Sequence, residues 1–430
     1  MYPNLYFFIK QVFGVEPWAF TRYLNSFGIL VALAFFVAAF ILKKELLRKE
    51  KMNLLIPFEE TVVVGKPASF FDLAINFLFG FIVGYKIIGV FLNKSEGNPQ
   101  DYIFSSQGST LGGILLAIFF AGLRYVEKKK QELPKPENRK IRIWPHERVG
   151  DIAVYAAIAG FIGAKIFDNL ENWDRFILDP IGNLLSPSGL TFYGGLILAT
   201  IVILRYAKTK KINIRHLVDS AAPALMIAYA VGRMGCHIAG DGDWGIFNSA
   251  YKVNDKNKIV EAASWEFHQV LMDNQEYTKI LVAEYGSLDN IPHKSFKGPS
   301  FLPNWLWAYN YPHNVNEQGI PMKNCDGQFC NQLSPPVFPT TLYEIIAGFL
   351  LFLVLWWARK KLPAPGQLFG LYLIMNGVER FMIEKIRVNT TYSLFGFHPT
   401  QAEIISTCLV FLGIGLWIDA LKRHKKQLPS

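Results

Sequence analysis

Nine apolar runs constrain this chain more than any other feature of its sequence. Each run approaches the ~20 residues that an α-helix needs to cross the hydrocarbon core of a bilayer. Of the 430 residues, 51% are hydrophobic and 15% aromatic. The sequence therefore predicts an all-α polytopic membrane protein with about nine transmembrane helices. The runs lie at about 25–42, 69–92, 111–126, 150–167, 192–206, 217–236, 341–358, 367–386 and 401–421.

Lysine and arginine are concentrated in every second loop, and this pattern orients the predicted helices. Loops on the cytoplasmic side of a membrane carry an excess of these residues. We therefore expect the N-terminus outside and the C-terminus inside. We interpret the basic runs as a rim that faces anionic lipid, with no indication of a nucleic-acid partner. They include Lys43–Lys44, Lys128–Lys130, Lys208–Lys211, Arg359–Lys361 and Lys422–Lys426.

The spans and loops predict six segments along the chain. An oxidising outer compartment favours a disulfide between Cys325 and Cys330 over a metal site in the polar stretch before span seven. The segments are an outer N-terminal segment (1–24), the first span with an extra two-span repeat and a cytoplasmic basic loop (25–148), the first half of the transmembrane core (149–245), an outer-face insertion (246–337), the second half of the core (338–421) and a cytoplasmic tail (422–430).

An internal repeat covers four of the predicted spans. Residues 70–87 and 108–125 resemble residues 150–166 and 189–206, about 80 positions further on. The two copies run in the same membrane direction, so they are parallel repeats, which count only weakly for transport. The equivalent pairs are Asp72 with Asp151, Gly84 with Gly163, Lys86 with Lys165, and Gly112–Gly113 with Gly194–Gly195.

Three charged residues lie on one face of the eighth span. Arg380, Glu384 and Arg387 are four and three residues apart, so a helix stacks them on one stripe. Each charge inside hydrocarbon costs at least ~2.5–3.5 kcal/mol, and such a stripe normally faces a bundle interior or a water-filled cavity. The stripe therefore marks a candidate functional site.

Four further polar segments reach the outer ends of the spans in the predicted topology. They are TFYGG (191–195), GRMGCHIAGDGDWG (232–245), FPTTLYE (338–344) and HPTQAE (398–403). Arg233 and Arg380 suit a phosphate, because a guanidinium binds its oxygens bidentately and stays charged when partly dehydrated. The glycines let backbone approach a ligand closely. These residues together indicate a phospholipid headgroup as the ligand.

The same segments resemble the prolipoprotein diacylglyceryl transferase family. GRMGCHIAGDGDWG resembles the family's glycine–arginine signature, and FPTTLYE resembles its HPSQLYE-type segment. Arg380, Glu384 and Arg387 resemble its R-x3-E-x2-R span. Tyr193 to Gly195 resembles its HGG segment, and Asp219 resembles the aspartate upstream of the signature. The resemblance covers about 150–245 and 337–421.

The resemblance implies transfer of the diacylglyceryl group of phosphatidylglycerol to the lipobox cysteine thiol of a prolipoprotein, the first step of lipoprotein maturation. It implies a monomer at the outer leaflet of the bacterial inner membrane, with no cofactor and no metal. The expected catalytic residues are Arg233, Arg380, Glu384, Tyr193 and Asp243. The expected substrate-binding residues are Arg233, Gly194, Gly195, Gly232, Gly235, His237, Gly240, Gly245, Glu344, Arg387, His398 and Gln401. The expected structural residues are Asp219, Tyr343, Cys325 and Cys330.

The chain departs from the family pattern at four positions. Tyr193 and Phe338 replace histidines, Phe27 replaces a tyrosine, and Cys236 replaces an asparagine. The chain also has nine predicted spans where the family typically has seven. These departures leave open which group takes the thiol proton. We expect Tyr193 to orient the phosphate or the thiol, and the proton to leave through Asp243 or the phosphate ester.

Two other functions stay open at this point. The repeat and the nine spans also fit a transporter or channel that uses the same intramembrane charges. The four departures also fit a membrane scaffold that has lost activity. The 246–337 insertion is either an ordered cap or a guide that leads the preprotein to the bilayer.

Overall fold

The computed structural model describes residues 1–92, 102, 105–186, 189–263, 265–325, 327–388, 392 and 397–427. Residues 428–430, the end of the expected tail, lie outside the described residues. The helices are α1 (Leu5–Phe13), α2 (Ser26–Lys51), α3 (Phe70–Leu92), α4 (Thr110–Lys130), α5 (Val149–Glu171), α6 (Trp173–Leu178), α7 (Pro180–Leu185), α8 (Phe192–Thr209), α9 (Ile214–Ala239), α10 (Glu266–Asp273), α11 (Gln275–Tyr285), α12 (Thr340–Ala358), α13 (Gln367–Glu384) and α14 (Gln401–Gln427).

The strands are short and form four two-stranded sheets. The longest pair is antiparallel, β1 (Phe58–Val64) with β2 (Glu137–Ile143), and it joins Phe58 to Ile143 and Val64 to Glu137. The others are β3 (Phe247–Asn248) with β6 (His293–Lys294), parallel; β4 (Tyr251–Val253) with β5 (Ile259–Glu261), antiparallel; and β7 (Ile320–Pro321) with β8 (Asn331–Gln332), antiparallel.

The protein is a mostly helical, multi-pass membrane protein, as predicted. Each predicted span coincides with one long helix among the described residues: α2 to α5, α8, α9 and α12 to α14. Seven of these are long and apolar enough to cross a membrane by length and composition. The other two, α9 and α13, carry the charged residues of the candidate site. The number of crossings and the orientation stay predictions.

The chain divides into two compact units. The first contains Met1–Glu16, Leu24–Leu42 and Arg215–Ser430, and the second contains Pro17–Tyr23 and Lys43–Ile214. The first unit therefore holds both the glycine–arginine segment and the charged stripe. The six segment boundaries expected from the sequence stay predictions.

Within the second unit, glycines let the helices of each repeat copy pack closely. Helix α3 packs on α4, and α5 packs on α8. A Cβ atom on Gly84 would clash with the carbonyl oxygen of Gly112, and one on Gly163 would clash with the carbonyl oxygen of Gly194. Equivalent glycines thus make equivalent backbone contacts in the two copies. This agreement supports the repeat seen in the sequence.

Within the first unit, α9, α12 and α13 share an apolar core. Asp219 of α9 fixes the start of α13, because its carboxylate accepts hydrogen bonds from Gly366 N at 2.8 Å and Phe369 N at 2.9 Å. This gives the aspartate expected from the sequence a structural contact. The core contains Ala222, Met226, Leu355, Ala358 and Leu368.

The segment expected to form the outer insertion has an apolar core of its own. Cys325 and Cys330 form a disulfide, with Cα atoms 5.6 Å apart. Tyr343 in the first turn of α12 donates a hydrogen bond to Leu306 O at 2.6 Å, which ties the segment to the helix that follows it. The buried core residues are Phe247, Phe267, Leu271, Tyr277, Leu281, Ile291, Tyr311, Leu333 and Val337.

Candidate active site

Three arginines converge on the carboxylate of Glu344, which is completely buried near the start of α12. Glu344 Oε2 lies 3.3 Å from Nε of Arg233 on α9. Glu344 Oε1 lies 3.3 Å from Nη1 of Arg380 on α13, and 3.6 Å from Nη1 of Arg387 just beyond that helix. A buried carboxylate needs charged partners to offset its lost hydration. The separate arginines of the sequence therefore form one network around Glu344.

Asp243 forms a second bridge between two of these arginines. Its Oδ2 accepts a hydrogen bond from Arg233, and its Oδ1 accepts one from Arg387 Nη2 at 2.5 Å. Thr340 Oγ1 donates to the Asp243 carbonyl at 2.9 Å and fixes this loop against α12. Burial favours a higher pKa for Asp243, but the positive charges of Arg233 and Arg387 outweigh burial and lower the pKa below its ordinary value.

Glu384 holds the third arginine from the opposite side. Its Oε2 lies 3.1 Å from Arg380 Nη2, one helical turn away on α13. Its Oε1 accepts a hydrogen bond from Thr400 Oγ1 at 2.6 Å. The Arg380 guanidinium therefore lies between Glu344 and Glu384, and two carboxylates fix its orientation.

Arg233 and Arg380 are more accessible to solvent than the two glutamates they contact, and Asp243 is the most exposed carboxylate of the network, with 36% of its side chain accessible. The side chains of Arg233 and Arg380 keep 19% and 21% exposure, whereas those of Glu344 and Glu384 keep none. Arg387 Nη1 is buried and has no hydrogen-bond partner among the described residues. The accessible part of the network therefore consists of Arg233, Arg380 and Asp243, whereas Glu344 and Glu384 are buried.

Four of the five glycines in 232–245 are expected to bind substrate, and their surroundings differ. A Cβ atom on Gly235 would meet Phe27 Cδ2 at 3.2 Å, and one on Gly245 would meet Ile386 O at 2.6 Å. Gly240 has a φ of +66°, which favours glycine over residues with a side chain. A Cβ atom on Gly232 would meet no described atom within 4 Å. Packing or backbone conformation thus explains three of the glycines, and Gly232 borders open space one residue before Arg233.

His237 lies in a hydrogen-bonded group next to the arginine network. Its Nδ1 is 2.9 Å from Thr341 Oγ1, and Thr341 Oγ1 is 3.0 Å from the hydroxyl of Tyr311. Thr341 precedes Glu344 by three residues, so both side chains lie on one face of α12. His237 therefore contacts the face of α12 that carries the buried carboxylate. Tyr311 comes from the expected outer insertion and is buried in its core.

Five of the expected site residues lie either around the start of α14 or in the second unit. His398 and Gln401 are exposed, and the described residues show no hydrogen bond or ion pair from either to the network. Thr400, between them, makes the contact to Glu384 instead. Tyr193, Gly194 and Gly195 belong to the second unit, where a Cβ atom on Gly195 would meet Gly160 O at 2.7 Å. The substrate-binding and catalytic roles of all five stay predictions.

Two network residues lie outside the sequence-based selection. Tyr229 is one turn before Arg233 on α9, and its hydroxyl lies 3.1 Å from Glu344 Oε1. Glu379, next to Arg380, is buried against the same hydroxyl. Glu379 is an acid inside an apolar run, and this feature of the sequence could have marked it as a site residue. Tyr229 and Glu379 are 150 residues apart in the sequence, so their contact cannot be predicted from spacing.

Cys236, Asp241 and Asp243 are the one group of potential metal ligands found among the described residues, with donor atoms within 4.8 Å of one another. Both oxygens of Asp243 already bond to arginines. Burial, together with the negative charge of Asp243, raises the pKa of Asp241. The positive charge beside this group makes it a poor site for a cation.

The fold and the network define a polytopic helical membrane protein in which three arginines gather around buried carboxylates. A family model described as prolipoprotein diacylglyceryl transferase matches residues 113–419. The chain belongs to this family.

Several curated relatives carry the name phosphatidylglycerol–prolipoprotein diacylglyceryl transferase. The one from Leptospira interrogans is 25% identical over 372 residues, which cover 75% of this chain and 92% of the relative. The one from Corynebacterium diphtheriae is 25% identical over 285 residues, covering 65% and 80%. The one from Shouchella clausii is 26% identical over 275 residues, covering 64% and 75%. The family resemblance read from the sequence is confirmed.

Proposed function

We propose that this protein transfers the diacylglyceryl group of phosphatidylglycerol to the lipobox cysteine thiol of a prolipoprotein. The convergence of Arg233, Arg380 and Arg387 on Glu344 carries this proposal, because it presents partly exposed guanidinium groups inside a helical membrane protein. Membership of the family and the names of the relatives support it. We place the reaction at the outer leaflet of a bacterial inner membrane, with the protein acting as a monomer.

Phosphate recognition is the role of the arginines. A phosphodiester carries one negative charge, and guanidinium groups bind its oxygens through charge-assisted hydrogen bonds. Glu344, Asp243 and Glu384 hold the guanidinium groups in place before the lipid binds, so little reorganisation is needed on binding. Gly232 leaves space for a ligand next to Arg233. We expect His237, which bonds to Thr341 one turn before Glu344, to contact the lipid or the peptide.

The chemistry requires a thiolate and a stabilised leaving group. A cysteine thiol with a pKa of ~8.5 must lose its proton to become a good nucleophile. The sulfur then forms a bond to the terminal glycerol carbon of the diacylglyceryl group, and the bond from that carbon to the phosphate oxygen breaks. The electron pair stays on the phosphate, which leaves as glycerol phosphate. The arginines stabilise the charge that develops on this oxygen.

Two labels in the same lipid test the proposal. The purified protein is placed in liposomes with a lipobox peptide and phosphatidylglycerol that is labelled either in its acyl chains or in its headgroup glycerol. We expect acyl label on the peptide and headgroup label in water-soluble glycerol phosphate. A transporter would move label across the bilayer without labelling the peptide, and an inactive scaffold would do neither. A peptide with serine in place of the lipobox cysteine is the control.

A further inference from the structure

Glu379 is a buried acid that the arginine network leaves without a cationic partner. Its side chain is on α13, and the residue is 8% exposed. No ion pair to Glu379 occurs among the described residues, although Glu344, Asp243 and Glu384 each contact at least one arginine. Instead, the two oxygens of Glu379 lie 3.2 and 3.3 Å from the hydroxyl of Tyr229.

The Tyr229 hydroxyl joins two carboxylates with a single hydrogen. It lies 3.1 Å from Glu344 Oε1 as well as next to Glu379. When both acids are ionised, the hydroxyl can donate to only one of them, and the other faces oxygen lone pairs. One added proton removes this conflict, because a protonated Glu379 donates to Tyr229, which then donates to Glu344. The three groups therefore have the geometry to take up one proton.

Glu379 is the group of this chain best placed to hold that proton. Both oxygens of Glu344 already face guanidinium groups, those of Arg233 and Arg380. Both oxygens of Asp243 face Arg233 and Arg387 in the same way. The other charged and titratable groups that face Glu379 are Tyr229 and Arg233 of α9, Glu344 of α12 and Arg380 of its own helix.

On the basis of the proposed function, we infer that Glu379 accepts the proton of the substrate thiol, with Tyr229 carrying it. Arg233 lies over the Tyr229 ring, with its guanidinium carbon 5.5 Å from the ring centroid, so the tyrosine borders the phosphate-binding arginine. In the reaction the S–H bond breaks and its proton passes through the Tyr229 hydroxyl to Glu379. The sulfur bonds to the glycerol carbon while the carbon–oxygen bond to phosphate breaks. This chain has Tyr193 in place of the family's histidine, and Glu379 supplies a proton acceptor instead.

The test compares Glu379→Gln with Tyr229→Phe in the liposome transfer assay over a range of pH. Glutamine keeps the size of the side chain and a hydrogen bond to Tyr229 but cannot accept a proton. We expect a rate about 100-fold lower at pH 7, in the range for loss of a general base, with KM for phosphatidylglycerol unchanged. The loss should shrink above pH ~8.5, where the thiol ionises unaided. Glu379→Asp should restore part of the rate.

The double variant gives the sharpest result. If the two residues act in series, the double variant that combines Tyr229→Phe with Glu379→Gln should have the rate of the slower single variant. Tyr372→Phe is the matched control, since it removes a tyrosine hydroxyl elsewhere on α13 and should leave the rate unchanged. Wild-type rates in Glu379→Gln, an equal loss at every pH, or multiplied losses in the double variant would each overturn the inference. Failure of wild-type protein to transfer lipid would instead contradict the proposed function.

Discussion

Arg233 and Arg380 contact different oxygens of one buried carboxylate, although they lie on separate helices. The Nε of Arg233 is 3.3 Å from Glu344 Oε2, and Nη1 of Arg380 is 3.3 Å from Glu344 Oε1. A single acid thus positions two guanidinium groups, and both keep hydrogen-bond donors for a ligand. The arrangement explains how a dense group of charges can be held among the helices of a membrane protein, because Glu344, Asp243 and Glu384 are each paired with arginine.

Arg233→Ala and Arg380→Ala should each lower transfer by at least about 100-fold, as expected when one donor to a developing oxyanion is lost. The protein should still insert and fold, because Glu344 keeps two arginines in either variant. The measurement is transfer by purified protein whose yield and thermal unfolding match wild type. Arg139→Ala in the exposed strand β2 is the control. Near-normal turnover in both variants would contradict phosphate recognition by these arginines.

Asp243→Asn should raise KM for phosphatidylglycerol and leave the shape of the pH–rate profile unchanged. The lowered pKa of Asp243 makes it a weak base, and it bonds to both Arg233 and Arg387, so we expect it to orient the two arginines, with Glu379 in its place as the proposed acceptor of the thiol proton. Its contribution to stability is present above the unfolded pKa of ~3.9 and is lost as pH falls through the lower folded pKa. The difference in thermal stability from wild type should therefore vanish only below about pH 4. A larger rate loss at low pH than at high pH would show that Asp243 takes the thiol proton.

Tyr193→Phe should lower the transfer rate without abolishing it. The hydroxyl is expected to orient the phosphate or the thiol by hydrogen bonding, so its loss weakens positioning and leaves the arginines in place. Steady-state rates over a range of lipid concentrations measure the effect. Phe192 next to it, changed to leucine, controls for a general disturbance of the start of α8. Complete loss of turnover in Tyr193→Phe would make the hydroxyl essential to the chemistry.

Gly163→Ala should destabilise the second unit by about 1–3 kcal/mol, the usual cost of overpacking. A methyl group there would clash with the carbonyl oxygen of Gly194 on the neighbouring helix. Gly160→Ala on the same helix α5 is the matched control, because a Cβ atom there meets nothing within 4 Å. Thermal unfolding in detergent should separate the two variants. Equal stability would show that helices α5 and α8 do not pack this closely.

Non-reducing peptide mapping should show Cys325 joined to Cys330, as the structure has them. The same pair tests the predicted orientation, because disulfides form in oxidising compartments. In intact cells, a membrane-impermeant maleimide should label neither thiol until a reductant is added. Labelling of both without reductant would contradict the disulfide. Absence of labelling even after reduction would contradict the outward location of the segment.

Much of the fold follows from the sequence, because membrane-spanning helices are long, apolar and internally hydrogen-bonded. All nine apolar runs are helical, and the repeat glycines Gly84 and Gly163 make equivalent contacts. The charges of α9 and α13 mark the site in the sequence. They also make these two helices less apolar than the other seven, so the same residues that reveal the site obscure the count of spans.

The sequence does not reveal which partner each site residue has. Spacing places Glu384 one turn from Arg380, and the structure shows that contact. The sharing of Glu344 by three arginines depends on how α9, α12 and α13 pack, which spacing within one helix does not determine. Tyr229 and Thr400 are ordinary polar residues in the sequence, and only their contacts with Glu344, Glu379 and Glu384 bring them into the network.

The most direct test of the account is the mass of a lipobox peptide after incubation with the purified protein in phosphatidylglycerol liposomes. The account predicts that the cysteine gains the mass of one diacylglyceryl group through a thioether, with an equal amount of glycerol phosphate released. The Arg233→Ala protein should leave the peptide unmodified. An unmodified peptide after incubation with folded wild-type protein, or a gain in mass on a peptide whose cysteine is replaced by serine, would contradict it.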